Sequence, residues 1–163
     1  MKHLYIIRHA KSNQNFLGND FERPLNDRGI KDAPEMARRL KEKNIAVDAF
    51  VSSPATRAKT TAIAFAEVYN KLSDEVVLVS ALYHADVNTF YEVIKNLPDE
   101  LNNIALFSHN PGITYFINNL HCGVTLDNMP TCGIVGVQLQ TESWKDILNC
   151  KKEFLFFDYP KLG

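Results

Sequence analysis

The chain has 163 residues, enough for one hydrophobic core and too few for two full domains, so residues 1–163 are read as a single domain. Hydrophobic residues make up 45% and charged residues 23%, a balance that excludes a disordered chain. Lys and Arg total 18 against 19 Asp and Glu, for a net charge of −1, so a general electrostatic hold on nucleic acid is not expected. Cys122, Cys132 and Cys150 are odd in number and lack CxxC spacing, which predicts free thiols rather than a disulfide framework or thiolate zinc site. The apolar run Leu4 to Ile7 is cut off by Arg8 and His9, too early for a signal-peptide core. No stretch reaches the roughly 18 apolar residues of a membrane span. A cytoplasmic protein without membrane attachment is expected.

In chain order, Leu4–Ile7 is a continuous apolar run that predicts a strand buried on both faces. Leu17 to Leu25 is polar and aperiodic, a loop of the kind that carries function at strand ends. Ile30, Ala33, Met36, Ala37 and Leu40 recur at helical spacing, with Pro34 disturbing the start or straightness of that helix. Ala49–Val51 predicts a second strand. Ser53 as N-cap and Pro54 as first helical residue then open a helix with the stripe Ala58, Ala62, Phe65, Tyr69 and Leu72. Val76–Val79 predicts a third strand, and Asp86 caps a helix carrying Phe90, Val93, Ile94 and Leu97. Ile104–Phe107 is a fourth strand, followed by a helix with Ile113, Phe116, Ile117 and Leu120. Ile134–Val137 and Glu153–Phe157 complete the strands. This alternation predicts an α/β fold, a mostly parallel central sheet with helices on both faces in three layers.

The chemistry-bearing residues gather at the carboxyl ends of these strands, where open α/β sheets bind ligands. Arg8-His9-Ala10-Lys11-Ser12 follows the first strand, and Ser108-His109-Asn110-Pro111-Gly112 follows the fourth. After the second strand, Ser53-Pro54-Ala55-Thr56-Arg57 puts Arg57 in the first turn of a helix whose N-terminus favours an anion. The resulting set, Arg8, His9, Arg57 and His109 with Ser12 and Asn15 nearby, suits phosphoryl transfer, in which positioning and charge stabilisation supply most of the rate. A neutral histidine can attack phosphorus and form a phosphohistidine that water hydrolyses. Neighbouring arginines oppose its protonation and stabilise the phosphoryl oxygens. Two histidines 100 positions apart, without Cys or carboxylate ligands at metal-binding spacings, predict no metal and no cofactor.

Arg8-His9-Ala10, Ser53-Pro54-x-x-Arg57-Ala58 and Ser108-His109, in this order, resemble the three hallmark segments of the histidine phosphatase (phosphoglycerate mutase-like) superfamily. The short length and Asp20-x-x-Arg23-Pro24-Leu25-x-x-x-Gly29 are similar to its SixA group of phosphohistidine phosphatases. The resemblance implies a phosphoglycerate mutase-like fold, His9 as nucleophile, and Arg8, Arg57 and His109 as the phosphate pocket. Ser12 and Asn15 fit the family's Arg-His-Gly-x-Ser-x-x-Asn extension, except that Ala10 replaces glycine, and Asn15 is thereby a phosphate-contact candidate. Many relatives place an acidic glutamate after the third strand, where this chain reads Leu82-Tyr83-His84-Ala85. The SixA-like pattern implies Asp20 as proton donor instead, with Glu22 and His84 as competitors. Arg23 closes over phosphate or anchors the loop, and His84 shapes the pocket rim. The implied partner is a phosphorylated substrate, such as a signalling protein bearing phosphohistidine. A sugar- or nucleotide-phosphate phosphatase and a non-catalytic binder of phosphorylated ligands are the alternatives.

Overall fold

A computed structural model describes residues 1–162. All six apolar runs form strands, β1 (Lys2–Arg8), β2 (Ala49–Ser52), β3 (Val77–Leu78), β4 (Asn103–Ser108), β5 (Ile134–Leu139) and β6 (Lys152–Asp158). They make one sheet in the order β3-β2-β4-β1-β5-β6. The pairs β1–β4, β4–β2 and β2–β3 are parallel, whereas β5 is antiparallel to β1 and β6 to β5. The helices are α1 (Asp27–Glu42), α2 (Thr56–Val68), α3 (Val87–Lys95) and α4 (Gly112–Asn119).

Side chains alternate across β1 and divide the interior into two layers. Leu4 and Ile6 join Leu106, Phe90, Ile94, Phe116 and Ile117 on the α3–α4 side. Tyr5 and Ile7 join Phe107, Met36, Leu40 and Phe65 on the α1–α2 side. Strands covered on both faces must be apolar at successive positions, which is why β1 and β4 read as unbroken hydrophobic runs. The α/β three-layer expectation holds, with β5 and β6 as the antiparallel part of a mostly parallel sheet.

Three local expectations fail. Ile30 is 60% exposed, and Leu72 lies past the end of α2 and is 68% exposed, so neither belongs to its helix's buried stripe. β3 is a two-residue edge strand with both side chains exposed, because no strand pairs beyond it. The helix expected to open at Ser53-Pro54 begins at Thr56, with Ala55 at the N-cap position and no side-chain cap. Elsewhere the local chemistry holds. Asp86 accepts the Thr89 amide at the start of α3, and Pro34 lies inside α1 without ending it. Gly29 and Gly112 sit where added Cβ atoms would overlap the carbonyl oxygens of Lys11 and Ala85, so both helices approach functional loops closely.

Candidate functional site

The register of the parallel strands assembles the site. Arg8 pairs with Ser108 across β1 and β4, so His9 and His109 leave adjacent strand ends at matching positions. Ser52 pairs with Phe107, which brings Ser53 alongside Ser108. The amides of His9 and Ser53 donate to the carbonyls of Ser108 and Phe107, at 3.2 and 3.0 Å. The imidazole centroids of His9 and His109 are 5.2 Å apart.

His9 is 5% exposed, and its Nδ1 lies 2.7 Å from the carbonyl oxygen of Ala10. A carbonyl only accepts, so Nδ1 carries the ring proton and Nε2 the lone pair. Burial, helped by the fields of Arg8, Arg57 and Arg23, lowers the His9 pKa to about 3 although the Ala10 carbonyl opposes the shift. The Ala10 amide donates to Thr61 Oγ1 (2.9 Å), which donates to the Arg57 carbonyl (2.7 Å), tying the His9 turn to α2. His109 is lowered to about 2, first by burial and then by His9 and Arg57. Its Nε2 is 2.7 Å from Ser53 Oγ, while its Nδ1 is buried without a partner in the protein. If Ser53 gives its hydroxyl proton to Nε2, the ring proton resides on Nδ1 as a donor. Ser53, read from the sequence as a helix cap, accepts the Ala55 amide at 3.3 Å ahead of α2 and also orients His109.

Arg8 Nη1 donates to the Met129 carbonyl at 2.9 Å. Arg57, whose side chain is 5% exposed, donates from Nη1 to the Asp20 carbonyl (2.7 Å) and from Nη2 to Asp20 Oδ2 (3.0 Å). The Nε atoms of Arg8 and Arg57 are buried and have no partner among the described residues. With His109 Nδ1 they make three buried nitrogens without a partner among the described residues. Three guanidiniums, those of Arg8, Arg57 and Arg23, act on His9, against the single carboxylate of Asp20 on Arg57. Such a concentration of donors and positive charge fits a tetrahedral oxyanion.

Asp20 begins a short 3-10 turn, Asp20–Glu22, capped by the Asn19 side chain. Its Oδ1 accepts from Arg23 Nη2 at 3.0 Å, and its Oδ2 accepts from the Tyr83 hydroxyl at 2.6 Å as well as from Arg57. Tyr83 first, then Arg23 and Arg57, holds the Asp20 carboxyl well below the usual carboxylate range. Arg23 Nη1 donates to Ser12 Oγ, and the backbones of Ser12 and Leu25 form an isolated bridge. Arg23 therefore anchors the loop. His84, at φ 60°, packs its ring against that of Tyr83 in a tilted arrangement with centroids 3.9 Å apart. It also lines a cavity of about 290 Å³ beside His109 with Asp86, Asn110 and Tyr115. Asn15 is exposed, and its side chain makes no hydrogen bond to the cluster. Glu22 is likewise exposed and is not a member of these ion pairs.

The model of the histidine phosphatase superfamily (branch 1) matches residues 4–90, more than half of the chain. The chain belongs to the histidine phosphatase superfamily. No curated protein matches the sequence. Among solved structures, the protein histidine phosphatase SixA complexed with tungstate is 23% identical, with TM-score 0.82 over 98% of this chain and 97% of the other. A protein described as phosphohistidine phosphatase SixA from Agrobacterium tumefaciens is 22% identical, with TM-score 0.79 over 98% of both chains. Mycobacterial glucosyl-3-phosphoglycerate phosphatase is 14% identical, with TM-score 0.76 over 98% of this chain and all of the other. These likenesses establish the phosphoglycerate mutase-like fold. The sequence reading missed Tyr83 and the Met129 carbonyl, because neither residue type announces a phosphate site. The gap left by the absent glutamate after β3 was the one signal pointing toward Tyr83.

Proposed function

We propose that this chain is a phosphatase that transfers a phosphoryl group to His9 Nε2 and then to water. The observation that carries the reading is the hydrogen bond from His9 Nδ1 to the Ala10 carbonyl, which leaves an unprotonated Nε2 in a cluster with the unpartnered buried nitrogens of Arg8, Arg57 and His109. In the first step an N–P bond forms as the bond from phosphorus to the leaving group breaks, and the leaving group takes up a proton from water or from the substrate's own phosphoryl group. In the second, water attacks phosphorus, releases inorganic phosphate and returns the electron pair to Nε2. Arg8, Arg57 and His109 hold the phosphoryl oxygens. Arg23 and Ser12 hold the loop beside them, His84 shapes the rim of the cavity next to His109, and Asn15 is a candidate contact of the phosphoryl group.

The phosphohistidine-phosphatase reading is supported by the state of Asp20. Ionised and accepting from Arg23, Arg57 and Tyr83, it has no proton to give a leaving group until it breaks these contacts and is itself protonated. An imidazole leaving from a phosphoramidate needs less acid help than a sugar alkoxide, which favours a phosphohistidine-bearing protein as substrate. The cavity beside His109 favours the second reading, a small phosphomonoester whose leaving group fills it. Among the described residues, no helix is long and apolar enough to cross a membrane. Cys122, Cys132 and Cys150 are free thiols, in keeping with the cytoplasmic setting proposed here.

The test compares wild type and His9→Ala on 4-nitrophenyl phosphate, a phosphohistidine protein and a panel of sugar and nucleotide phosphates, with chelator present. Wild type should turn over, His9→Ala should not, and the phosphohistidine protein should be preferred. Turnover surviving the substitution refutes the mechanism. Preference for one small phosphomonoester replaces the first substrate reading with the second.

A further inference from the structure

Tyr83 stands where the Asp20 turn, the His109 ring and the loop after β3 meet. Its hydroxyl donates to Asp20 Oδ2 at 2.6 Å. Its ring meets His109 edge-on with centroids 5.6 Å apart, meets Phe21 edge-on at 5.1 Å, and lies tilted against His84 at 3.9 Å. Tyr83 therefore grips the turn Asp20–Glu22 twice, through the carboxylate of Asp20 and the ring of Phe21. The carboxylate needs such a grip, because the Asp20 side chain is 47% exposed and could otherwise turn into water.

What Asp20 does to Arg57 gives this grip a consequence. A guanidinium offers one fork at its end, through Nη1 and Nη2, and another along its side, through Nε and Nη2. The carbonyl and Oδ2 of Asp20 take the end fork of Arg57. Nε stays buried and unpartnered on the side fork, and Arg8, held through Nη1 by Met129, keeps its own Nε unpartnered in the same way. Asp20 thus fixes the direction in which Arg57 presents its free N–H groups. We propose that Tyr83 is a positioning residue of the phosphate pocket, acting through Asp20 to hold the side fork of Arg57 toward a bound phosphoryl group. This rests on the phosphatase reading above and extends it to a residue at the loop where the sequence lacks the expected glutamate.

Tyr83→Phe removes the hydroxyl and keeps the ring contacts with His109, Phe21 and His84. Affinity for inorganic phosphate is measured by calorimetry, and KM and kcat on 4-nitrophenyl phosphate, in wild type, Tyr83→Phe, Asp20→Asn and the double variant. Losing a hydrogen bond to a partly exposed carboxylate should weaken phosphate binding and raise KM by about five- to tenfold, at an unchanged midpoint of thermal unfolding. In the Asp20→Asn background, the same substitution should change phosphate affinity by less than about twofold, since the coupling runs through Asp20. Wild-type affinity in Tyr83→Phe, or a full independent loss added to that of Asp20→Asn, overturns the proposal. A wild type that binds phosphate with this dependence on Tyr83 but hydrolyses nothing overturns only the phosphatase reading. A wild type that binds no phosphate overturns both.

Discussion

Acid should destabilise this protein through the histidines of its site, well above the pH at which its carboxylates titrate. His9 is held at about 3 and His109 at about 2, against 6.5 for an ordinary histidine, and burial is the leading cause for both. The unfolded chain therefore binds protons at these positions that the folded chain refuses, and stability falls as the pH drops below about 6.5. Between about pH 7.5 and pH 5 the unfolded histidine goes from mostly neutral to mostly charged while the folded one stays neutral, a loss of about 2 kcal/mol for each, or about 4 kcal/mol for the pair. His3, also lowered by burial, adds to the wild-type slope. Asp20 is silent in this window, since its lowered pKa removes stability only as the pH falls below the unfolded value of 3.8. Urea denaturation of wild type, His9→Gln and His109→Gln at about pH 7.5, 6 and 5 reads the effect. Each variant should lose close to its histidine's share of the pH dependence. Wild-type stability that is flat across this range, or an undiminished slope in both variants, refutes the claim that the two rings are kept neutral.

Other substitutions probe the supports of the site. Ser53→Ala strips a partner from buried His109 Nε2 and should cost about 1–3 kcal/mol by urea denaturation, with weaker phosphate inhibition because the His109 ring loses its anchor. Arg57→Lys keeps the charge but loses both forks, and kcat/KM on 4-nitrophenyl phosphate should fall about a hundredfold at little cost in stability. Gly112→Ala puts a methyl group onto the Ala85 carbonyl and 3.3 Å from Phe90, so α4 must move from the His84 loop, destabilising the fold by about 1–3 kcal/mol in the same denaturation assay.

The strands were legible because a sheet covered on both faces demands apolar residues at every position, and that demand is written in Leu4–Ile7 and Ile104–Phe107 without reference to any partner. Edges and helix surfaces were less legible. Val77 and Leu78 have strand composition yet lie exposed at the sheet edge, and Ile30 keeps helical spacing yet faces outward. Hydrophobicity records what a residue would gain by burial, and only the packing of neighbours determines whether burial is available. Ser53 met the same limit. Its sequence context fits a helix cap, but His109 from a strand distant in sequence takes its hydroxyl.

His9, Arg8, Arg57 and His109 could be singled out from sequence because each sits at a fixed offset from a strand or helix start, and strand ends in this kind of sheet share one edge. The sequence by itself therefore determined the fold class and the group of residues that meet at the crevice. Direction was decided only by the tertiary structure, namely which nitrogen of His9 is free, which fork of Arg57 is occupied, and that Asp20 is an ionised partner of Arg23, Arg57 and Tyr83. Those properties depend on hydrogen bonds between segments far apart in the chain, such as Tyr83 to Asp20 and Arg57 to Asp20. A hydrogen bond needs two groups at one distance and angle, and local sequence fixes neither until the sheet has set the register.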